Sequence, residues 1–361
     1  MLKALELFVR KWFNRVVGVQ GEPIVVSEPL DVLQMPNDAS IVVLRQDRIG
    51  DVLITIPFVR ALRRAMPRAT ITVVLGTNNA AVAHALEPWI DGVVVYRKSL
   101  SGLRSLRRAL RKVNADVVVD MMDNPSATSA MLMSATRAHY RVGIDKMNRG
   151  VYTHVVPLLD RATVHIVDRI CQLSLPFGFA IDPSLRRLEY QLSQHDVRRA
   201  MEALERTPDS APLFLVNLSG SSDERMYGVE RTARVLELAA ADLVRYDVRI
   251  CSAPQHAPLV TELCQRTGFR AVPAVASFHA FAAIIAQASF LVTPDTSTVH
   301  LAAAFGVPSV VLYKQHDPGL CVWTPYATPH VAVVDYVALS AIEPQRVADA
   351  VHTLLRRPTP A

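Results

Sequence analysis

The chain has 361 residues, half of them hydrophobic, with a formal net charge of +6 and a pI near 9.3. This length allows two domains with substantial cores, and the positive balance suits an anionic partner such as a nucleotide, a nucleic acid or an acidic membrane surface. The four cysteines form no Cys-x-x-Cys pair and no nearby histidine completes a zinc pattern, so we expect reduced thiols in a cytosolic protein.

The first 18 residues carry an apolar stripe interrupted by cations. Apolar side chains recur at helical spacing at Leu2, Leu5, Val9, Trp12, Phe13 and Val16. Lys and Arg residues interrupt them, so the unbroken apolar core of a secretory signal is absent. The pattern predicts an amphipathic helix that either lies on an anionic bilayer or docks on the protein itself. Residues 1–40 are expected to form this helix and a polar connector.

From Ile41 short apolar runs alternate with helical stretches. In the first half the pattern predicts strands at Ile41–Arg45, Thr70–Leu75, Gly92–Tyr96 and Asp116–Asp120, and helices at Val52–Met66, Asn79–Leu86, Leu103–Lys112 and Ser126–Arg137. After a polar segment near Ile181–Gln194, it predicts strands at Leu213–Asn217, Val248–Cys251, Phe290–Val292 and Ser309–Tyr313, and helices at Val229–Arg245, Ala257–Arg266, Phe278–Gln287, Thr298–Phe305 and Pro344–Leu355. Such alternation indicates parallel sheets covered on both faces, in two α/β domains at residues 41–185 and 186–361.

Two polar turns stand between a predicted strand and a predicted helix. The first holds Gly50-Asp51, in LRQDRIGDVLITIPFVRALRRAMP. The second, in LVTPDTSTVHLAAAFGVPSVVLYKQHDPGL, crowds Asp295, Thr296, Ser297 and Thr298 before an Ala-rich helix. A helix N-terminus offers N–H groups and a positive dipole end to phosphate, although residues that only cap the helix have the same composition. Ligands of open α/β sheets bind at the carboxyl ends of strands, where both turns lie.

Together the two turns resemble the motifs of the heptosyltransferase-like glycosyltransferases, family 9. Members typically pair Gly-Asp after an early strand with a late Asp-Thr/Ser-Gly-x-x-His-Leu-x-Ala-Ala signature, here at 295–304. The resemblance implies two facing Rossmann-like domains with a central cleft, the GT-B type. It also implies inverting, metal-independent transfer of a heptose from an ADP-heptose-like donor to a lipopolysaccharide or related surface glycan. No cofactor and no nucleic-acid partner are expected, and the enzyme would be cytoplasmic, on the inner membrane surface.

Asp51 is the predicted general base, because glycosyl transfer to a hydroxyl needs a base near the acceptor oxygen. From the turn alone, a capping role at the helix start is the favoured interpretation; the resemblance reverses that preference. Gly50 leaves room for an approaching acceptor. Arg141 and Lys146 belong to a basic group, with Arg137 and Arg149, that the resemblance makes a candidate contact for an acidic acceptor.

The leaving diphosphate needs positive partners, and no Asp-x-Asp motif is present to hold a cation. The helix start at Asp295–Thr298 is one source, and the resemblance adds Arg225 with the aromatic Tyr227. His300 is either a core residue or a phosphate ligand. Two departures from the family pattern concern this site: Ser297 replaces the usual Gly, and Lys314 stands where a small residue is typical. Both leave phosphate binding in place but weaken the assignment of ADP-heptose as the donor.

A run of arginines in helix Leu103–Lys112 reads either as a solvated face or as a membrane-facing basic surface. Other functions compete with glycosyl transfer. The Gly-rich motifs of dinucleotide-dependent oxidoreductases and P-loop enzymes are absent, and no nucleic-acid module appears. Two alternatives stay open: a sugar-nucleotide epimerase of the same architecture, and a non-catalytic sugar-nucleotide-binding protein.

Overall fold

A computed structural model describes residues 21–356, which form two compact units. The first comprises residues 21–160 and 166–186, and the second comprises 161–165 and 187–356. The amphipathic helix predicted for the first 18 residues lies outside the described part. Each unit is built on one sheet whose strands pair only in parallel. The expected α/β class is therefore confirmed.

The first unit contains a seven-stranded sheet in the order β1-β7-β6-β5-β2-β3-β4. The strands are β1 Ile24–Val25, β2 Ser40–Arg45, β3 Thr70–Gly76, β4 Gly92–Tyr96, β5 Val117–Asp120, β6 Tyr140–Ile144 and β7 His154–Val156. The central strands β2 and β5 are Val-rich and buried except for half-buried Ser40, as expected of a parallel sheet covered on both faces. The connector predicted within residues 1–40 contributes β1, which pairs with β7 at the sheet edge.

In the described part of the first unit, five α-helices pack around this sheet. They are α1 Ile49–Leu53, α2 Ile56–Ala65, α3 Leu100–Val113, α4 Ala127–Thr136 and α5 Ile166–Cys171, with a long 3-10 helix at Ala80–Trp89. The single helix predicted at Val52–Met66 is two helices, because Pro57 has no N–H to continue the ladder of α1. Gly50 and Asp51 therefore lie within the first turn of α1, and not before a helix as predicted.

The second unit contains a six-stranded sheet in the order β10-β9-β8-β11-β12-β13. Its strands are β8 Leu213–Asn217, β9 Asp247–Cys251, β10 Arg270–Ala271, β11 Ala288–Pro294, β12 Ser309–Lys314 and β13 His330–Asp335. Its helices are α6 Gln194–Ala203, α7 Val229–Leu238, α8 Ala240–Leu243, α9 Ala257–Thr267, α10 Phe278–Ile285, α11 Ser297–Phe305 and α12 Pro344–Leu355. Within residues 21–356, no helix has both the length and the apolar character needed to cross a bilayer.

The strand orders locate a switch point in each sheet. In the first unit the chain runs outward from β2 through β3 to β4 and then returns to place β5 on the other side of β2. In the second unit it runs from β8 to β10 and returns to place β11 beside β8. Loops diverge at such points and leave a crevice beyond the carboxyl ends of the strands. Both polar turns singled out in the sequence follow a strand at one of these points.

Candidate active site

Asp51 is held in a fixed orientation at the switch point of the first unit. Its side chain is 10% exposed, and one carboxylate oxygen lies 3.3 Å from the Arg45 guanidinium. The other oxygen accepts the backbone N–H of Arg48 at 3.1 Å, which caps α1. Arg45 also donates to the Asp51 backbone carbonyl at 2.7 Å and to that of Met121 at 2.7 Å. A carboxylate has about four acceptor positions, so these two contacts leave room for a further hydrogen bond.

A second carboxylate lies beside the first. Asp47, in the loop between β2 and α1, places one oxygen 3.4 Å from the same Arg45 guanidinium, and its side chain is 20% exposed. Burial raises the pKa of Asp47 to about 6, Arg45 opposes this rise, and the charges of Asp51 and Asp120 add to it. One buried cation therefore serves two carboxylates.

The raised pKa of Asp47 predicts how stability depends on pH. Because the folded-state pKa of Asp47 lies above its usual 3.8, ionising it destabilises the folded protein as pH rises from about 4 through about 6. Asp47→Asn removes that cost, on the order of 1–3 kcal/mol. We expect the thermal midpoint of Asp47→Asn to exceed that of the wild type at pH 8, with the gap shrinking as the pH falls below 6. A gap that is constant with pH, or a variant less stable at pH 8, would contradict the assignment.

Beside Asp51, a fully buried network fixes the end of β5. The Asp120 carboxylate accepts the Tyr152 hydroxyl at 2.7 Å and pairs with the Lys146 ammonium at 3.0 Å. Lys146 also contacts the Met122 carbonyl and lies over the Tyr152 ring. Burial and the Asp120 charge raise the pKa of Tyr152 well above its ordinary value. The structure thus places Lys146 in the interior, 1% exposed at its side chain, and not on an exposed basic surface.

Arg141, the other predicted acceptor contact, is separated from this network. It is the second residue of β6 and pairs with Val118, so it lies toward the start of the strand. The carboxyl ends carry Asp120 and the loop after β6 carries Lys146. Burial lowers the pKa of Arg141. The structure therefore does not bring Arg141 and Lys146 into one acceptor-binding group.

In the second unit, the start of α11 lies at the switch point between β8 and β11. Thr296 is the N-cap, and its hydroxyl oxygen accepts the Thr298 N–H at 3.4 Å. Asn217, at the end of β8, donates to the hydroxyls of Thr293 at 2.9 Å and Thr298 at 3.3 Å. Thr298 is buried in this brace, whereas Ser297 is half-buried. The brace holds the first turn of α11 in place, with its N–H groups at the carboxyl edge of the sheet.

Two cations flank this helix start, and each contacts a carboxylate. The Arg225 guanidinium lies 2.5 Å from the Asp295 carboxylate. The Lys314 ammonium, at the end of β12, contacts Glu224, and this hydrogen bond lowers the pKa of the Glu224 carboxyl. The Asp295 contact uses one of the five N–H groups of Arg225. These two ion pairs tie the loop after β8 to the ends of β11 and β12.

The loop that carries Arg225 closes tightly on itself. A side chain at Gly220 would place its first carbon 1.9 Å from the Arg225 carbonyl oxygen, so this position admits only glycine. Ser219 accepts the Ala253 N–H at 2.6 Å and lies 3.0 Å from a ring nitrogen of His256, which joins the loop to the end of β9. The turn presents Glu224 and Arg225 together at the carboxyl edge.

Two predicted donor residues lie inside the second unit. Tyr227 packs in the hydrophobic core, its hydroxyl donates to the Ile342 carbonyl at 3.2 Å, and burial raises its pKa to about 12. His300 is buried within α11. We therefore give Tyr227 a packing role beneath the Arg225 loop, since its ring is covered by core side chains.

Several residues around Asp51 and around the start of α11 were not predicted from the sequence. Arg45 and Asp120 are the last residues of predicted strands. A charged residue at the carboxyl end of an apolar run could have indicated them. Asp47 stands four residues before Asp51 but carried no pattern of its own. Asn217 also ends a strand. Among residues 21–356, no group of three or more His, Cys, Asp or Glu side chains is placed to hold a metal ion.

Comparisons with known proteins bear on the family and the fold. The model of glycosyltransferase family 9 (heptosyltransferase) matches residues 103–345. The lipopolysaccharide core heptosyltransferase OpsX of Haemophilus influenzae is 22% identical over 288 residues, which cover 77% of this chain and 80% of that protein. The solved family 9 glycosyltransferase of Veillonella parvula aligns with a TM-score of 0.74 at 22% identity, covering 91% of this chain and 99% of that one. ADP-heptose lipopolysaccharide heptosyltransferase II of Escherichia coli aligns with a TM-score of 0.67 at 20% identity, covering 88% and 98%.

The solved structures establish the fold as two Rossmann-like domains of the GT-B type, as the resemblance implied. The family model covers about two thirds of the chain, so the chain belongs to glycosyltransferase family 9 and is a glycosyltransferase.

Proposed function

We propose that this protein transfers a heptose from ADP-heptose to a lipopolysaccharide core or a related lipid-linked surface glycan. The related proteins named above act on this class of substrate, and they are similar to this chain over most of its length. The proposal also places the enzyme at the inner face of the cytoplasmic membrane, where a lipid-linked acceptor is found.

The observation that carries the proposal is the fixed orientation of Asp51. A carboxylate that only capped α1 would need one contact, from the Arg48 N–H. The Asp51 carboxylate is also anchored by the buried Arg45 guanidinium. In the proposed mechanism Asp51 accepts the proton of the acceptor hydroxyl. The acceptor oxygen then attacks the anomeric carbon from the face opposite the diphosphate, so the bond to the diphosphate breaks with inversion.

The departing diphosphate gains negative charge, which needs preorganised positive partners. In the proposal these are the Arg225 guanidinium, the Lys314 ammonium and the N–H groups at the start of α11, in the turn formed by Thr296 and Ser297. Asp295 and Glu224 hold the two cations in place until the donor binds. Because protein groups supply the charge, the proposed reaction does not require a divalent ion.

The decisive experiment is transfer from ADP-heptose to a lipopolysaccharide core acceptor, with the product configuration determined by NMR. We expect ADP release, a glycoside whose anomeric configuration is opposite to that of the donor, and undiminished turnover in EDTA. Activity that EDTA abolishes and magnesium restores would contradict the metal-independent part. A product that retains the donor configuration would contradict the inverting mechanism. An epimerised free donor without transfer would indicate the epimerase alternative.

A further inference from the structure

Helix α3 carries an unusual charge pattern. Its fourteen residues include five cations and no acidic residue; the cations are Arg104, Arg107, Arg108, Arg111 and Lys112. At 100° per residue these side chains fall within one sector of the helix surface. All five are exposed, and together they line one shallow depression. We call these five side chains the α3 basic face.

A sixth cation adds to this face. Arg137, the exposed residue that ends α4, lies close enough for its charge to lower the pKa of the Arg111 guanidinium, and Arg107 contributes to the same shift. No ion pair joins any of the six to a carboxylate within residues 21–356. The cations of the α3 basic face therefore repel one another without nearby acidic side chains to offset that repulsion.

A purely structural explanation accounts for only part of this pattern. Arg111 and Lys112 lie in the last turn of α3, where cations interact favourably with the helix dipole. Arg104, Arg107 and Arg108 lie outside that turn. A helix face that only contacts water usually mixes the two signs of charge, since i, i+4 pairs stabilise it. The absence of acidic residues therefore points to an external anionic partner.

We propose that the α3 basic face binds the phosphate groups of an anionic lipid bilayer. The face presents several cations side by side along a helix, and a bilayer presents many phosphates in one plane, so their charges are complementary. The helix carries no aromatic side chain on which bases would stack. The choice of a bilayer over nucleic acid rests on the proposed function, whose acceptor is lipid-linked.

The test is co-sedimentation of the full chain with vesicles of phosphatidylglycerol and phosphatidylcholine, without substrates. We expect wild-type binding to fall with rising salt and to be weak on pure phosphatidylcholine. Arg107→Glu/Arg108→Glu should weaken partitioning about 20-fold or more, because each cation near an anionic surface contributes about fivefold. The matched control is Arg198→Glu/Arg199→Glu, an adjacent exposed pair in α6 with the same charge change. The control should bind nearly as well as the wild type.

Several outcomes would overturn the inference. If Arg107→Glu/Arg108→Glu binds vesicles as well as the wild type does, another surface makes the contact. If the control variant loses as much binding, the loss depends on net charge alone and not on the α3 basic face. Loss of binding to a DNA duplex but not to vesicles would indicate nucleic acid instead. Heptose transfer from ADP-heptose to a lipid-free core acceptor by the same variant, measured in solution as ADP release, tests the proposed function separately, since no predicted donor-binding residue lies in α3.

Discussion

Asp51→Asn is expected to reduce the rate of glycosyl transfer roughly 100- to 10,000-fold, the range found when a general base is removed. The amide keeps an oxygen that can accept the Arg48 N–H, so the cap of α1 survives, but it cannot take the acceptor proton. Turnover measured at saturating donor and acceptor should fall, while the Kd for ADP measured by calorimetry should change little.

A variant that lacks a helix N-cap serves as the control, because it lowers stability without removing the proposed base. Ser126→Ala removes the hydroxyl that accepts the Ser129 N–H at 3.1 Å at the start of α4, which costs about 1 kcal/mol of stability. Its transfer rate should stay near that of the wild type. Near-normal turnover of purified Asp51→Asn would remove Asp51 from the mechanism, and Asp47 would become the next carboxylate to test.

Arg225→Ala is expected to lower the transfer rate about 100- to 1,000-fold, as when one preorganised donor to a developing anion is deleted. Binding of ADP should weaken much more than binding of adenosine, because only ADP carries the diphosphate. Removing Arg225 also leaves the Asp295 carboxylate without this partner, and its charge then opposes the diphosphate.

The double variant Arg225→Ala/Asp295→Asn distinguishes these two effects. If part of the loss comes from the Asp295 charge, the double variant should bind ADP more tightly than Arg225→Ala alone, a non-additive result for contacting residues. Arg234→Ala, which breaks an exposed ion pair with Glu237 in the same unit, serves as the control. Equal weakening of ADP and adenosine binding would show that Arg225 does not contact the diphosphate.

The fold followed from hydrophobic periodicity wherever an element carries its own pattern. Strand Leu213–Asn217 and helix Pro344–Leu355 match the prediction in full. Several misses have identifiable causes: Arg141 and Gly143 interrupt the apolar pattern of β6, β7 has three residues, and both become strands by pairing with neighbours. Helices α1 and α2 are separate for a local reason, the proline at position 57. Helix α6 follows the predicted polar segment and was not predicted itself, because only one of its ten residues is buried and its apolar pattern is weak.

The site was harder to predict because residue type does not reveal burial. Tyr227 and Lys146 have the side chains of a ligand-binding site, yet they pack inside their units. Arg45 has the position of a strand end, yet its guanidinium contacts Asp51 only six residues later in the chain. Asp120 lies at the same sheet edge because β5 pairs with β2. That adjacency depends on a strand order that local sequence does not encode.

The division of the chain has a consequence for how the protein is made. Residues 161–165 belong to the second unit although the first unit is completed only at residue 186. The Arg161 carbonyl accepts the Cys321 N–H at 2.9 Å, and a ring nitrogen of His165 lies 3.0 Å from the Thr324 carbonyl. During synthesis, residues 161–165 therefore leave the ribosome more than 150 residues before Cys321 and Thr324, which they contact in the second unit. If the gene were divided at residue 186, residues 161–165 would lie on the first fragment although they pack in the second unit. A single cut in the chain therefore does not separate the two units.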